Sequence, residues 1–171
     1  LFPMLYYREL LTTDRDAYGI YVNSPFPREN RRIMIGCDVS SKYTRRNYTE
    51  YRKIAEYIAR CVWQRPGNYM IFFPSYRLMQ DVYQVYEEEF SVDWVRCIRQ
   101  NSDMREQERE EFLEEFQSRE GTLVGFCVLG GIFSEGVDLT GESLIGAVIV
   151  GTGLPQIGSE REILKEYYDR K

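Results

Sequence analysis

Four apolar runs, YMIFFP (69–74), VDWVRCI (92–98), TLVGFCVL (122–129) and LIGAVIV (144–150), alternate with segments whose apolar residues recur at helical spacing. The later runs are apolar on both faces, and a strand carries such a pattern when helices cover both sides of its sheet. The chain therefore reads as α/β: a mainly parallel sheet between two helical layers. Asn47, with Glu50 three residues on, starts one helix. Tyr51, Ile54, Ala55, Ile58 and Val62 share its apolar face until RPGN stops it. Ser75 caps a second helix, with Leu78, Val82, Val85 and Tyr86 on one side. Ser102 or Asp103 caps a third, which carries Met104, Phe112, Leu113 and Phe116 and is closed by Gly121. A last helix starts near Ser159. Upstream, YGIYVN (18–23) and RRIMIGCDV (31–39) read as short strands around the turn-rich SPFPREN.

In such sheets ligands bind at the carboxyl ends of the strands, where loops pass into helices. PSYR, RQNSD, GGIFSEGVD and GTGLPQ all fall at that edge. Gly130, Gly131 and Gly136 permit positive φ and a close approach of ligand to backbone. Exposed amides there suit phosphate, while Glu135 and Asp138 suit a ribose hydroxyl or a metal-bound water. As a plainer alternative, Asp138 only ties down its own turn, or the two acids form a hydrolytic pair. Ser75 is both a helix cap and a phosphate contact at a helix N-terminus. No complete phosphate-cradling loop is present. GESLIGAV has the P-loop glycine spacing, but Ala147 and Val148 stand where the lysine and hydroxyl belong. GTGLPQ follows a strand, yet Gln156 replaces the third glycine of a dinucleotide motif and Pro155 would break the helix.

Composition narrows the chemistry. There is no histidine, so Ser-His-Asp and Cys-His catalysis and His-ligated zinc are excluded. Cys37, Cys61, Cys97 and Cys127 are dispersed without a C-x-x-C pair, which reads as reduced, buried thiols of a cytoplasmic protein with no metal site. No apolar run reaches the roughly 18–20 residues that span a bilayer, so no membrane partner is expected. The net charge of −5 does not by itself suggest nucleic acid. Between residues 28 and 53, however, Arg28, Arg31, Arg32, Lys42, Arg45, Arg46, Arg52 and Lys53 face only Glu29, Asp38 and Glu50, a patch suited to a phosphate backbone. The 171 residues fit one domain, 1–171. Its opening, LFPMLYYREL, and its end within the helical pattern EYYDRK are those expected of a piece of a longer protein.

GNYMIFFPSY, MREQEREEFLEEF and GGIFSEGVDLTGESLIGAVIVGTGLP, in this order and spacing, resemble the C-terminal helicase domain of DinG/Rad3-like (XPD-like) superfamily 2 ATP-dependent DNA helicases. SPFPRENRR and VSSKYTRR resemble that family's connector. The resemblance implies a RecA-like domain that closes over ATP and Mg2+ with a first RecA-like domain of the same chain, while single-stranded DNA crosses both. It implies that FFPSY is motif IV, placing Ser75, Tyr76 and Arg77 beside DNA, with Gln100 following the neighbouring strand. It implies that GGIFSEGVD is motif V: Gly131, Glu135, Gly136 and Asp138 face the nucleotide cleft, and Ser134 lies on the DNA side. The family's Walker A loop, DEAH-type Mg2+ site and iron–sulfur cysteines belong to the first half, and its arginine-bearing motif VI belongs after EYYDRK. The chain alone is therefore expected to hold no tightly bound cofactor, to contain no catalytic residue and to be inactive. Two other functions are compatible with the residues: a stand-alone nucleotide- or nucleic-acid-binding module, and a Rossmann-type transferase or oxidoreductase.

Overall fold

The computed structural model describes residues 4–14, 16, 18–20, 22–25, 27–118, 121–134, 136–152 and 158–170, with side chains from Tyr7 onward. The chain divides into two compact units, Leu1–Ile35 and Gly36–Lys171. The first holds helix α1, Met4–Leu11. The strands expected at 18–23 and 31–39 do not form among the described residues. Ile20, Val22, Ile33 and Met34 are instead exposed. Their β-branched, apolar composition is strand-like, but a strand persists only with a hydrogen-bonded neighbour, and the sheet supplies none to these segments.

The second unit contains α2 (Tyr48–Gln64), β1 (Asn68–Phe73), α3 (Tyr76–Glu89), β2 (Val95–Arg99), α4 (Glu106–Glu115), β3 (Thr122–Val128), β4 (Gly146–Ile149) and α5 (Ser159–Asp169). All strand pairs are parallel, in the order β2-β3-β1-β4. From β1 the chain crosses β3 to reach β2, then steps back to β3 and past β1 to β4. The first step runs one way across the sheet and the next two run the other way. Right-handed crossovers then place α3 on one face, and both α4 and the loop from β3 to β4 on the opposite face.

The packing follows that rule. On one face Tyr69, Ile71, Phe73, Val124 and Phe126 meet Ile54 and Ile58 of α2 and Leu78, Val82 and Tyr86 of α3. On the other, Met70, Leu123 and Cys127 meet Phe112 and Phe116, joined by Phe133, Val137, Leu139 and Leu144 of the loop. Gly125 makes room for this second layer, since a Cβ there would lie 2.7 Å from Phe116 Cζ. The expected three layers are thus present. Among the described residues no helix is long and apolar enough to cross a membrane.

Local signals succeed where one side chain decides. Asn47 Oδ1 accepts from Glu50 N at 3.1 Å, and Ser75 Oγ accepts from Leu78 N at 3.3 Å. Glu50 does not complete a capping box: its carboxylate accepts from Ser40 N (2.9 Å) and Arg45 instead. The third helix starts later than Ser102 or Asp103. Glu108 reaches back to accept from Arg105 N at 2.7 Å, and that bond sets the start at Glu106. Gly121 does not close this helix, which ends at Glu115 with Phe116 as its C-cap, where that ring enters the core. With φ at +78°, Gly121 turns the chain into β3.

Candidate functional site

Parallel pairing brings all four strand exits to one edge. Gln100 organises it. This side chain is 2% exposed. Its backbone N–H donates to Phe126 O at 2.9 Å, extending the β2–β3 ladder. Its Oε1 then accepts from Val128 N at 2.9 Å, so the side chain continues the ladder where β2 has ended. The remaining Nε2 donates to the Tyr76 hydroxyl, also at 2.9 Å. One amide thereby ties the exits of β1, β2 and β3 together. Gly131 is required by its closeness: a Cβ there would stand 2.9 Å from Gln100 Nε2 and 3.0 Å from Val128 O.

The loop after β3 folds back on its own strand end. Gly131 N donates to Val128 O (3.1 Å), Ser134 N to Gly131 O (3.0 Å) and Ser134 Oγ to Val128 O (3.2 Å). Gly130 and Gly136 have φ of +71° and +68°, which L side chains rarely adopt. Helix α4 holds the loop from below. The Phe133 ring stacks on Phe112 at 4.3 Å, and Arg109 Nε donates to Ile132 O at 3.2 Å. MREQEREEF therefore supplies the clamp of the glycine loop, a role its helical pattern does not reveal.

Tyr76, Gln100, Gly131 and Ser134 thus form one connected group around the end of β3. Ser75 is half-buried, its hydroxyl engaged in the α3 cap, and Arg77 is exposed one residue further on. Gly136 and Asp138 are exposed along the same loop. Among the described residues no hydrogen bond or ion pair joins Asp138 to the Gln100 group. Glu135 and most of GTGLPQ (153–156) lie outside the described residues. The connector also reaches this edge: a Cβ on Gly151 would lie 2.6 Å from Ser41 Oγ, and Arg46 Nε donates to Ser41 O at 3.4 Å.

A cavity of about 350 Å3 opens between the exits of β1 and β2, walled by Tyr76, Gln80, Gln100 and the turn Asn101–Met104, with Glu108 at its rim. Sequence reading marked RQNSD as an edge loop but singled out only Gln100. The polar run just past a strand end was the available signal. Burial raises the Tyr76 phenol above its ordinary range, so the group bonded to Gln100 is the neutral hydroxyl. Cys127, beneath the loop, is buried, and Cys61 and Cys97 are half-buried, but Cys37 is exposed, contrary to the expectation of four buried thiols. Its neighbours Gly36 and Asp38 are exposed too, because the connector runs over the surface rather than as a buried strand. Among the described residues no three Cys, Asp or Glu side chains converge to hold a metal. The resemblance itself assigns the Mg2+ ligands to the first RecA-like half and not to this chain.

Residues 58–171 match the model of the helicase C-terminal domain. Over 162 residues the chain is 28% identical to a probable ATP-dependent helicase of Methanocaldococcus jannaschii, covering 89% of this chain and 24% of that protein. Among solved structures, an apo XPD structure matches with a TM-score of 0.59 at 23% identity, covering 78% of this chain and 26% of the other. An XPD helicase structure matches with the same TM-score at 22% identity, covering 78% and 23%. The chain spans about a quarter of the length of these relatives. The structural likeness carries the fold, a RecA-like sheet with helices on both faces, and the sequence match extends through the glycine loop and its clamp. On that match, this chain belongs to the helicase C-terminal domain family.

Proposed function

We propose that the chain serves as the second RecA-like motor domain of an ATP-dependent helicase acting on DNA in the cytoplasm, and that it completes an ATP cleft with a first RecA-like domain. The observation that carries this reading is the Gln100 tie. It connects the loop after β3, the proposed nucleotide-facing element, to Tyr76, the proposed strand-facing one. A motor needs such a link, because a change at the nucleotide must alter the grip on the strand, and a packed, hydrogen-bonded network with discrete arrangements can transmit it. In this reading Gly131, Glu135, Gly136 and Asp138 line the cleft, and Ser75, Tyr76, Arg77, Gln100 and Ser134 form or support the strand track. Phosphoryl transfer needs positioned phosphates, a divalent cation and a cationic finger. On this reading those parts come from the rest of the motor, and the isolated chain is expected to turn over no ATP.

Asp138→Asn in the intact protein tests the reading. The side chain is exposed, so stability should change by less than about 1 kcal/mol. The carboxylate can then no longer accept charge-assisted hydrogen bonds from a bound nucleotide or water, and DNA unwinding should fall by at least about tenfold, or ~1.4 kcal/mol of barrier. Normal unwinding by the variant would remove Asp138 from the coupling loop. A collapse in melting temperature would make it a structural turn residue. An intact protein that binds strands but never couples them to ATP would favour the stand-alone binding module.

A further inference from the structure

The cavity between the exits of β1 and β2 has a chemistry that a phosphate track does not explain. Its volume of about 350 Å3 is that of a small-ligand cleft. No lysine or arginine lines it, whereas Asp103 and Glu108 do. A phosphate placed there would face carboxylates without a cation, and Arg77, the adjacent cation on α3, is not part of the wall. The half-buried Tyr76 ring provides a flat aromatic surface, and the half-buried Met104 an apolar one. Gln100 already commits its Oε1 and one Nε2–H, and Glu108 already accepts from Arg105 N. The side chains of Gln80, Asn101 and Asp103 are different: among the described residues they make no hydrogen bond. Two amides and a carboxylate are thus available beside an aromatic face.

An unstacked nucleobase answers that combination. Its face packs on Tyr76, as bases do on aromatic platforms in single-strand binding proteins. Its edge meets the amides and the carboxylate, and a carboxylate is matched by an exocyclic amino group such as that of cytosine. Thymine has a carbonyl oxygen in the place of that amino group. We propose that this cavity is a base-reading pocket that takes one amino-bearing base of a bound single strand, leaving the phosphates outside it. The proposal rests on the reading of the chain as a strand-binding motor domain.

The test is fluorescence anisotropy of the intact protein with labelled oligo(dC) and oligo(dT) of equal length, across a salt series. Oligo(dC) should bind about tenfold tighter, the discrimination typical of one hydrogen bond to a charged group. The salt slope should be the same for both, because base contacts release no counterions. In Asp103→Ala, and separately in Gln80→Ala, the dC:dT ratio should fall to within about twofold. Both residues are exposed, so folding is not at stake, and a melting curve checks it. Equal binding of dC and dT by the wild type overturns the pocket while leaving the strand-binding reading intact. A ratio that survives in both variants does the same. Failure to bind either strand overturns both.

Discussion

Replacing Gln100 by Leu keeps the side-chain size and removes both hydrogen bonds of the edge. Two consequences follow from the geometry. The Tyr76 hydroxyl loses its donor, a net loss of about 0.5–1.5 kcal/mol. Val128 N–H, buried at the end of β3, loses its side-chain acceptor, and an orphaned buried amide costs about 1–3 kcal/mol. No cavity term is added, so Gln100→Leu should destabilise the chain by roughly 2–4 kcal/mol. Urea unfolding followed by circular dichroism reads this directly. At a slope of about 2 kcal/mol/M the midpoint drops by roughly 1–2 M, with the slope unchanged. Tyr76→Phe removes the first bond together with the long 3.5 Å donation to Asn101 O, and should cost about 1 kcal/mol. Because the two residues touch, the double variant should be less destabilised than the sum by at least about 0.5 kcal/mol. A loss below about 0.5 kcal/mol for Gln100→Leu would refute the argument, since surface substitutions do as much. Strict additivity would show that Tyr76 and Gln100 are neighbours without being coupled.

Three further outcomes are expected. The Tyr86 hydroxyl is buried without a partner among the described residues, and burial drives its titration upward. Tyr86→Phe should therefore raise stability by up to about 1 kcal/mol in the same urea assay, and a loss would reveal a partner. The Ser40 N–H, and then Arg45, hold the Glu50 carboxyl below its ordinary range. A depressed folded pKa contributes stability above the unfolded value, near 4.3, that is lost as pH falls through the lower folded value. Glu50→Gln should flatten that acid limb, and an unchanged pH profile would contradict it. Burial pushes the Cys97 and Cys127 thiols up to about 12, while Cys37 is exposed. A thiol-disulfide reagent at pH 8 should label Cys37 first and reach Cys97 and Cys127 only in denaturant. Fast native labelling of Cys127 would place it outside the core.

Legibility followed the range of the interactions. The caps at Asn47 and Ser75, the helix faces built on Ile54, Ile58, Leu78 and Val82, and the buried central strands β1 and β3 depend on residues within a turn or two of each other; β2 and β4 form as strands too, but as sheet edges they stay partly exposed, Ile149 to 63%. Periodicity and cap chemistry expose these directly. The start of α4 was misplaced because Glu108 outcompeted Ser102 and Asp103 for the helix end. The upstream strands failed because apolar composition does not create a strand partner. PSYR, RQNSD and the described part of GGIFSEGVD were placed correctly, because in a parallel sheet every strand exit shares one side; most of GTGLPQ lies outside the described residues.

By itself the sequence determined the α/β class, the order of elements from α2 onward, the edge that carries the candidate site and, through GGIFSEGVD and FFPSY, the family. Each of these rests on local pattern or on side chains close together in the chain. Only the tertiary structure decided what ties the edge together. Strand order β2-β3-β1-β4 sets the exits of β1, β2 and β3 side by side, so that Gln100 meets Tyr76 and Val128 across separations of 24 and 28 residues. The same order sends the glycine loop across the face that α4 covers, where Phe133 finds Phe112 and Arg109 finds Ile132. No local pattern encodes such contacts. They arise because right-handed crossovers bring together elements that the chain visits far apart.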